Sequence, residues 1–219
     1  MPRLPHGYTN ETRRRAGNVE KTYVGDHRSE HARTELACLS ALGDRLPVPP
    51  VTDVDLAQGR ITLGYLPGDH GQDLIDRGHA RIVLRLAGTA LASLQRPPFP
   101  TVAGLDGNGP VLVHGDFGPQ NLLLDLDAGR VTGVLDWEFA HRGDPVEDLA
   151  WAEWIVRMHH PGAVDALDDL FLGAGRRPPW SQRHDAMLHR VRQLLTDTER
   201  PGSTSPWRER LTTTETWTE

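Results

Sequence analysis

The stretch Val111-Leu-Val-His-Gly-Asp-Phe-Gly-Pro-Gln-Asn-Leu-Leu-Leu124, followed by Val131-Thr-Gly-Val-Leu-Asp-Trp-Glu138, decides the reading of this chain. Two short apolar runs enclose a loop that presents a carboxylate, Asp116, and an amide, Asn121; a third run ends on another carboxylate, Asp136. A carboxylate can take a proton from a hydroxyl, and amide and carboxylate oxygens suit a hard divalent cation. A His-x-Asp-x-x-x-x-Asn loop with a downstream Asp supplies what phosphoryl transfer from ATP requires: a proton acceptor and oxygen ligands for magnesium. Each residue also has a plain structural alternative. Asp116 could cap the turn at Gly118-Pro119, Asn121 could be a turn residue, and Asp136 could simply end a strand. Three oxygen-bearing residues ending consecutive short strands at these intervals favour the chemical reading.

The ordered pair of motifs resembles the aminoglycoside phosphotransferase family, small-molecule kinases with a protein-kinase-like fold. The resemblance extends to Gly7-Tyr-Thr-Asn10, Pro47-Val-Pro-Pro50, Tyr65-Leu-Pro-Gly68 and Leu135-Asp-Trp-Glu-Phe-Ala-His-Arg-Gly-Asp-Pro-Val-Glu-Asp-Leu-Ala150. Either motif alone would be weak, because His-Gly-Asp also occurs as an ordinary turn. The resemblance implies an α+β, two-lobed protein-kinase-like fold, with a small antiparallel-sheet N-lobe over 1–68 and a mainly helical C-lobe over 69–219. It further implies ATP and Mg in the cleft, Asp116 as the catalytic residue, and Asn121 with Asp136 as the metal ligands. The γ-phosphate would pass to a hydroxyl of a small molecule, an aminoglycoside-like or other amino-alcohol or sugar acceptor. His114 is expected to support the loop by hydrogen bonding, Asp144 to cap a helix, and Asp148 to anchor the catalytic loop. Trp137-Glu138 follows Asp136 where protein kinases carry Phe-Gly, which argues against a mobile activation switch.

Lysine usage adds an independent pointer. Of 24 basic residues 23 are Arg, and Lys21 is the one lysine. Ammonium is a compact point charge and guanidinium a wide planar fork, so a phosphate-gripping site built for one does not readily accept the other. The sequence predicts strands over 10–15 and 19–24 joined by a turn at 16–18, with Val19, Lys21 and Tyr23 on one face by the two-residue period. It predicts a helix from Ser29 to Leu42, stopped by Gly43, with Ala32, Leu36, Leu39 and Leu42 as its apolar stripe. Glu35 falls inside that stripe and Glu30 opposite it. A carboxylate facing a core needs a partner, and Lys21 is the obvious one. The pair reproduces the strand-lysine to helix-glutamate ion pair of kinases, which holds the lysine on the nucleotide phosphates. The alternative is a half-exposed Glu and a surface Lys, and in isolation that reading would be preferred.

Gly7 is the one glycine of the expected phosphate loop, and 20 residues precede Lys21. The nucleotide contacts there are expected from Gly7, Thr9 and Asn10, largely through backbone N–H groups. So thin a loop keeps open a second class of function, a catalytically weak nucleotide-binding kinase-like module. A metal-dependent hydrolase built on His114 and Asp116 ranks lower, because no second His stands at ligand spacing.

Composition bounds the rest. A chain of 219 residues can bury a core and form one large domain or two small lobes. One cysteine, Cys38, excludes an intrachain disulfide framework, and no apolar run reaches the length of a membrane span. With no signal-peptide pattern at the start, the expected setting is cytoplasmic and away from membranes. Residues 61–219 carry 22 acidic against 15 basic side chains, and the net charge is −6. That excludes the basic face a nucleic-acid partner would want and permits a cationic one.

Further along, the sequence predicts a strand at Ile61–Tyr65, a lobe hinge at Leu66-Pro67-Gly68-Asp69 and a helix from His79 to Gln95. A capped helix follows, with Asp144 as cap, Pro145 at its first position and Glu147 in the first turn, burying Leu149, Ala152 and Ile155. Helices are expected over 163–172 and 183–195, and beyond Thr196 a loosely held tail. Trp137, Trp151 and Trp154 are expected to pack the large lobe, with a wall of the acceptor pocket as the alternative place for one of them. Asp165, Asp168 and Asp169 read as a solvated helix face.

Overall fold

The computed structural model describes residues 10–15, 17–199 and 205–219. The chain opens with β1 (Glu11–Arg15) and β2 (Asn18–Thr22), then α1 (Arg28–Leu42), β3 (Val51–Asp55) and β4 (Arg60–Gly64). The four strands form an antiparallel sheet in the order β1-β2-β4-β3. Its register sets Lys21 opposite Thr12 on one side and Ile61 on the other. Ile61 and Leu63 turn the inner face of β4 toward α1, whose buried side includes Ala32, Glu35, Cys38, Leu39 and Leu42. The strand pair and the helix thus follow the sequence periodicities. α1 ends at Leu42 with Gly43 as its C-cap, as expected, although Gly43 keeps a right-handed helical conformation. The chain instead tightens through N–H groups of Arg45 and Leu46 donated to the carbonyl of Leu42. β3 was not expected: Val-Thr-Asp-Val-Asp shows no buried alternation because it is the edge strand with both faces largely open.

Beyond Gly68 come β5 (Asp69–His70), the short α2 (Gly71–Asp76) and α3 (Ala80–Leu94). Then follow β6 (Val111–Val113), a 3-10 turn at Pro119–Asn121, β7 (Leu122–Asp125) and β8 (Arg130–Val134). A 3-10 turn at Trp137–Phe139 leads to β9 (His141–Gly143) and α4 (Val146–His159). The last elements are α5 (Leu167–Ala174), α6 (Trp180–Thr198) and α7 (Pro206–Glu215). Small strands dominate the loop region: β5-β7-β8 make one sheet and β6-β9 another. β5 and β9, of two and three residues, are too short for any periodicity to announce them.

α3 buries Val83, Leu84, Ala87, Gly88, Ala90, Leu91 and Leu94, while Ile82 is 39% exposed. α3 and α5 approach through glycines. A Cβ on Gly88 would lie 2.1 Å from the carbonyl oxygen of Leu170, and one on Gly173 would lie 2.1 Å from that of Arg85. Asp144 and Glu147 form the expected capping box: Asp144 Oδ1 accepts from the N–H of Val146 at 2.8 Å, and Glu147 Oε1 accepts from that of Asp144 at 2.5 Å.

The loosely held tail is corrected. Pro206–Glu215 is a docked helix, with Ser205 accepting the N–H of Trp207 and Pro206 at the first helical position. Trp207, Leu211 and Trp217 pack on a second core of Trp151, Trp154, Ile155, Met187 and Val191. The Thr-rich composition hid this, because two indoles and one leucine rather than a continuous stripe dock the segment. No helix among the described residues is long and apolar enough to cross a membrane.

Candidate active site

Lys21 stands on the inner face of β2 with its side chain 4% exposed. Its Nζ lies 2.6 Å from Glu35 Oε2, 2.7 Å from Asp136 Oδ1 and 3.3 Å from Glu138 Oε2. Tyr23 donates its hydroxyl to the same Glu35 oxygen. Burial works against the charge on Lys21, but Asp136 and Glu35 outweigh it and hold its pKa well above the ordinary value. For Asp136 burial likewise opposes ionisation, and the Lys21 ammonium more than offsets it, so this carboxyl sits below its usual range. Glu35 shows the reverse balance, with burial raising its pKa against the pull of Lys21. Lys21 therefore stays cationic, and Asp136 is the anion beside it.

Asp136 is held in the left-handed region at φ 61, the one non-glycine residue with positive φ among those described. Such a conformation costs on the order of 1–3 kcal/mol and persists where the surroundings impose it. Here the end of β8 is pinned: Val134 donates its N–H to Pro47 at 2.8 Å, Leu135 donates its own to Asn121 at 2.9 Å, and Trp137 donates its indole N–H to Val134 at 3.0 Å. The Asp136 side chain is left 41% exposed, open to the cleft.

The loop from His114 to Asn121 is fixed from below. Asp148, fully buried on the first turn of α4, accepts the N–H groups of His114 at 2.8 Å and Gly115 at 3.0 Å. Burial pushes its pKa up to about 6 against those two bonds. Gly115 has φ +82, and a Cβ there would meet the Phe139 carbonyl oxygen at 2.2 Å, so only glycine fits between the two loops. Nε2 of His114 donates to the Leu135 carbonyl at 2.8 Å, which leaves Nδ1 to accept the N–H of Asp116 at 3.3 Å. Burial lowers the imidazole to about 4, so it is neutral and structural, as expected from sequence.

Asp116 is held by two neighbours. The Asn121 amide donates to its carbonyl at 2.8 Å and to its Oδ2 at 2.9 Å, while the indole of Trp151 donates to Oδ1 at 2.9 Å. Burial raises its pKa to about 6, although both donors favour the anion. With its amide nitrogen committed to Asp116, Asn121 has its oxygen available for a ligand.

Lys21, Glu35, Asn121 and Asp136 line one cavity of 340 Å³, walled by Val19, Leu63, Tyr65 and Leu123. Asn10 does not border that cavity; it is buried and donates to Glu138. Gly7 and Thr9 lie outside the described residues. An oxygen set of one carboxylate and one amide fits magnesium, which takes few protein ligands and completes its shell with phosphates and water. No cluster of three or more His, Cys, Asp or Glu suited to hold a metal occurs among the described residues.

Sequence reasoning missed Glu138, the third carboxylate on Lys21, although it stood two residues after Asp136. It also missed the Tyr23 hydroxyl and the indole of Trp151, read only as packing or as a pocket wall. The i, i+3 spacing of Asp148 and Trp151 on one helix face was the available signal. Arg190 of α6 reaches back to donate to the Gly115 carbonyl at 3.1 Å, which no local pattern foretold. Asp168 and Asp169 pair with Arg177 and with Arg81 and Arg85, and border neither large cavity.

Residues 105–184 match the model of the family described as the phosphotransferase enzyme family. The chain is 34% identical over 127 residues to the viomycin phosphotransferase of Streptomyces vinaceus, covering 53% of this chain and 37% of that protein. It spans smaller shares still of the other curated relatives it matches. Among solved structures, the macrolide 2'-phosphotransferase MphH from Brachybacterium faecium superposes with a TM-score of 0.65 at 18% identity, over 100% of this chain and 92% of that one. The streptomycin–ATP–APH(2'')-IIa ternary complex superposes with a TM-score of 0.62 at 14% identity, over 90% and 86%. Residues 105–184 are thus a phosphotransferase-family segment, set in a chain with the two-lobed fold of the aminoglycoside and macrolide phosphotransferases.

Proposed function

We propose that this protein transfers the γ-phosphate of ATP, with magnesium, to a hydroxyl of a small amine-bearing molecule. Residues up to 68 form the nucleotide lobe and 69–219 the catalytic and acceptor lobe. Support comes above all from one observation: Lys21 Nζ lies within 2.7 Å of both Glu35 and Asp136, on the cavity that Asn121 also lines. Asn121 and Asp136 would hold the magnesium, which supplies charge neutralisation on the phosphates when bound. Lys21, braced by Glu35, steadies the phosphates, and the phosphate-loop contacts stay assigned to Gly7 and Thr9, which lie outside the described residues, while Asn10 acts through Glu138. Asp116 orients the acceptor hydroxyl and receives its proton. Little covalent work falls to the protein, so rate comes from positioning and charge.

The acceptor class is argued from a second cavity of 640 Å³ on the α4–α6 side of the loop, bordered by Gly115, Trp151 and Arg190. Its size suits a small-molecule ligand. Asp106, Asp144, Glu147, Asp148 and Asp185 line it together with one guanidinium, Arg190, and two imidazoles, His141 and His189, a balance that favours a cationic acceptor over a neutral or anionic one.

The test is ADP formation across a panel of amino-sugar and amino-alcohol acceptors, beside calorimetry with ATP and magnesium. Acceptor-dependent ADP release that stops on chelation, and on Asp116→Ala with nucleotide affinity spared, is the expected result. Nucleotide binding without turnover of any acceptor would leave a nucleotide-binding module instead.

A further inference from the structure

One face of α6 borders the acceptor-side cavity, and it is polar where a packed helix would be apolar: Gln182, Asp185, His189, Arg190 and Gln193 recur along it at helical spacing. Asp185 and Arg190 stand about 8 Å apart along the axis, so this wall is anionic at one end and cationic at the end beside the loop. Arg190 is fixed there. Its Nη2 donates to the Gly115 carbonyl at 3.1 Å, and its guanidinium lies 5.6 Å from the ring centroid of Phe139 and 5.8 Å from that of Trp151, a ring itself stacked on Trp154 with centroids 4.4 Å apart. Its Nε is buried without a partner among the described residues, and it forms no ion pair with any described carboxylate. Arg85, Arg157 and Arg183 are spent differently, each on a carboxylate. Burial lowers the pKa of Arg190, while Asp116, Asp197, Glu147 and Asp148 act against it without pairing, and the guanidinium stays cationic. A half-buried cation that uses one N–H of its fork on a carbonyl and none on an anion calls for an explanation.

We propose that Arg190 binds an oxyanion in this cavity, either the phosphoryl group as it arrives on the acceptor or a carboxylate that the acceptor already carries. This rests on the reading of the cavity as the acceptor site given above. In transfer the acceptor oxygen bonds to the γ-phosphorus and gives up its proton to Asp116. The bond from that phosphorus to the β–γ bridging oxygen breaks, and its electron pair leaves on ADP. The phosphate so formed stands on the acceptor at Asp116, next in the chain to the Gly115 carbonyl that anchors Arg190. A planar fork with unspent N–H groups matches the paired oxygens of a phosphate or a carboxylate. The wall therefore fits a dipolar ligand, with its oxyanion toward the loop and its ammonium toward Asp185. A bare anion would meet the carboxylates that line the same cavity, so the ammonium belongs to the recognition.

The probes are ethanolamine, O-phosphoethanolamine and β-alanine, which share an ammonium on a short chain and differ in carrying a hydroxyl, a phosphate or a carboxylate, so none is a bare anion. The readout is the Nε–Hε resonance of Arg190 in the wild-type protein at constant ionic strength, assigned by its loss in Arg190→Lys. O-Phosphoethanolamine is expected to move it saturably and ethanolamine to leave it in place. A saturable shift with β-alanine, alone or as well, assigns the oxyanion to a carboxylate of the acceptor; a shift with O-phosphoethanolamine alone assigns it to the transferred phosphate. A resonance that neither oxyanion moves, or that ethanolamine moves equally, overturns the proposal. Kinetics supply a second measurement: Arg190→Gln is expected to lose about 10-fold or more in kcat/KM for the acceptor, the scale of one hydrogen bond to a charged group, with KM for nucleotide unchanged and part of the loss recovered in Arg190→Lys. An unchanged kcat/KM overturns the proposal, and so do equal losses in both variants that follow a lowered Tm, which would make Arg190 a brace for Gly115 alone. Failure of the wild type to turn over any acceptor would count against the phosphotransferase reading and leave the resonance titration standing, so the two failures are distinguishable.

Discussion

Lys21 is a lysine in a chain that otherwise uses arginine, and its surroundings explain why a guanidinium would not serve. Three carboxylates converge on one nitrogen at 2.6, 2.7 and 3.3 Å, a geometry for a compact cation and not for a planar fork. Lys21→Arg should fold yet lose roughly 100-fold or more in kcat, because a misplacement near 1 Å at the phosphates is enough for that; steady-state kinetics beside a thermal melt checks it. Glu35→Gln leaves the ammonium with Asp136 as its strongest partner and should cost about 3 kcal/mol of stability in denaturant unfolding. The pH dependence at this scale belongs to Asp116. Its folded-state pKa lies above the usual carboxylate value, so the anion that the proposed function uses is complete above about pH 7 and is lost as pH falls through about 6. His114, lowered to about 4, adds no limb in that window. A wild-type profile flat down to pH 5 would remove Asp116 from the reaction.

At the scale of elements, the strand-loop-strand from β6 to β7 places the loop, but α4 shapes it. Asp148 binds two successive N–H groups at the start of the loop, and Asp148→Asn turns one acceptor into a donor facing an N–H. That variant should lose about 2 kcal/mol, as for a buried donor left unsatisfied, and a larger share of activity than of stability. Its check is urea unfolding beside kcat at the same temperature. The capping box of Asp144 and Glu147 starts α4 at the register that brings Asp148 and Trp151 under the loop. The apolar and capping pattern of this helix was legible in advance. Its contacts with the loop were not, because a pattern of burial does not say which buried indole donates to which carboxylate.

Across the whole molecule, the C-terminal helix closes the second core. Trp154 donates to Thr214, Arg183 pairs with buried Glu153 and, at 2.6 Å, with Glu219, and Trp207 and Trp217 cover the Trp151–Trp154 stack. Thr214→Val strands the Trp154 N–H and should cost about 2 kcal/mol without moving the acid limb of the pH profile. Removing residues 205–219 should lower both Tm and kcat, since it uncovers the stack that fixes Trp151; a truncated protein with full kcat would show that the stack holds without its cover.

The chain's order of residues determined by itself what is local or periodic: the Lys21 strand, the Glu35 helix, the spacing of Asp116, Asn121 and Asp136, and the capped start of α4. These follow from side-chain periods and loop chemistry acting over a few residues. Tertiary structure alone decided that Glu138 joins Lys21, that Trp151 grips Asp116, that Arg190 braces Gly115 and that a Thr-rich end docks as a helix. Each of those depends on partners 30 to 120 residues apart meeting in a packed interior, and no local pattern encodes which buried donor will find which acceptor.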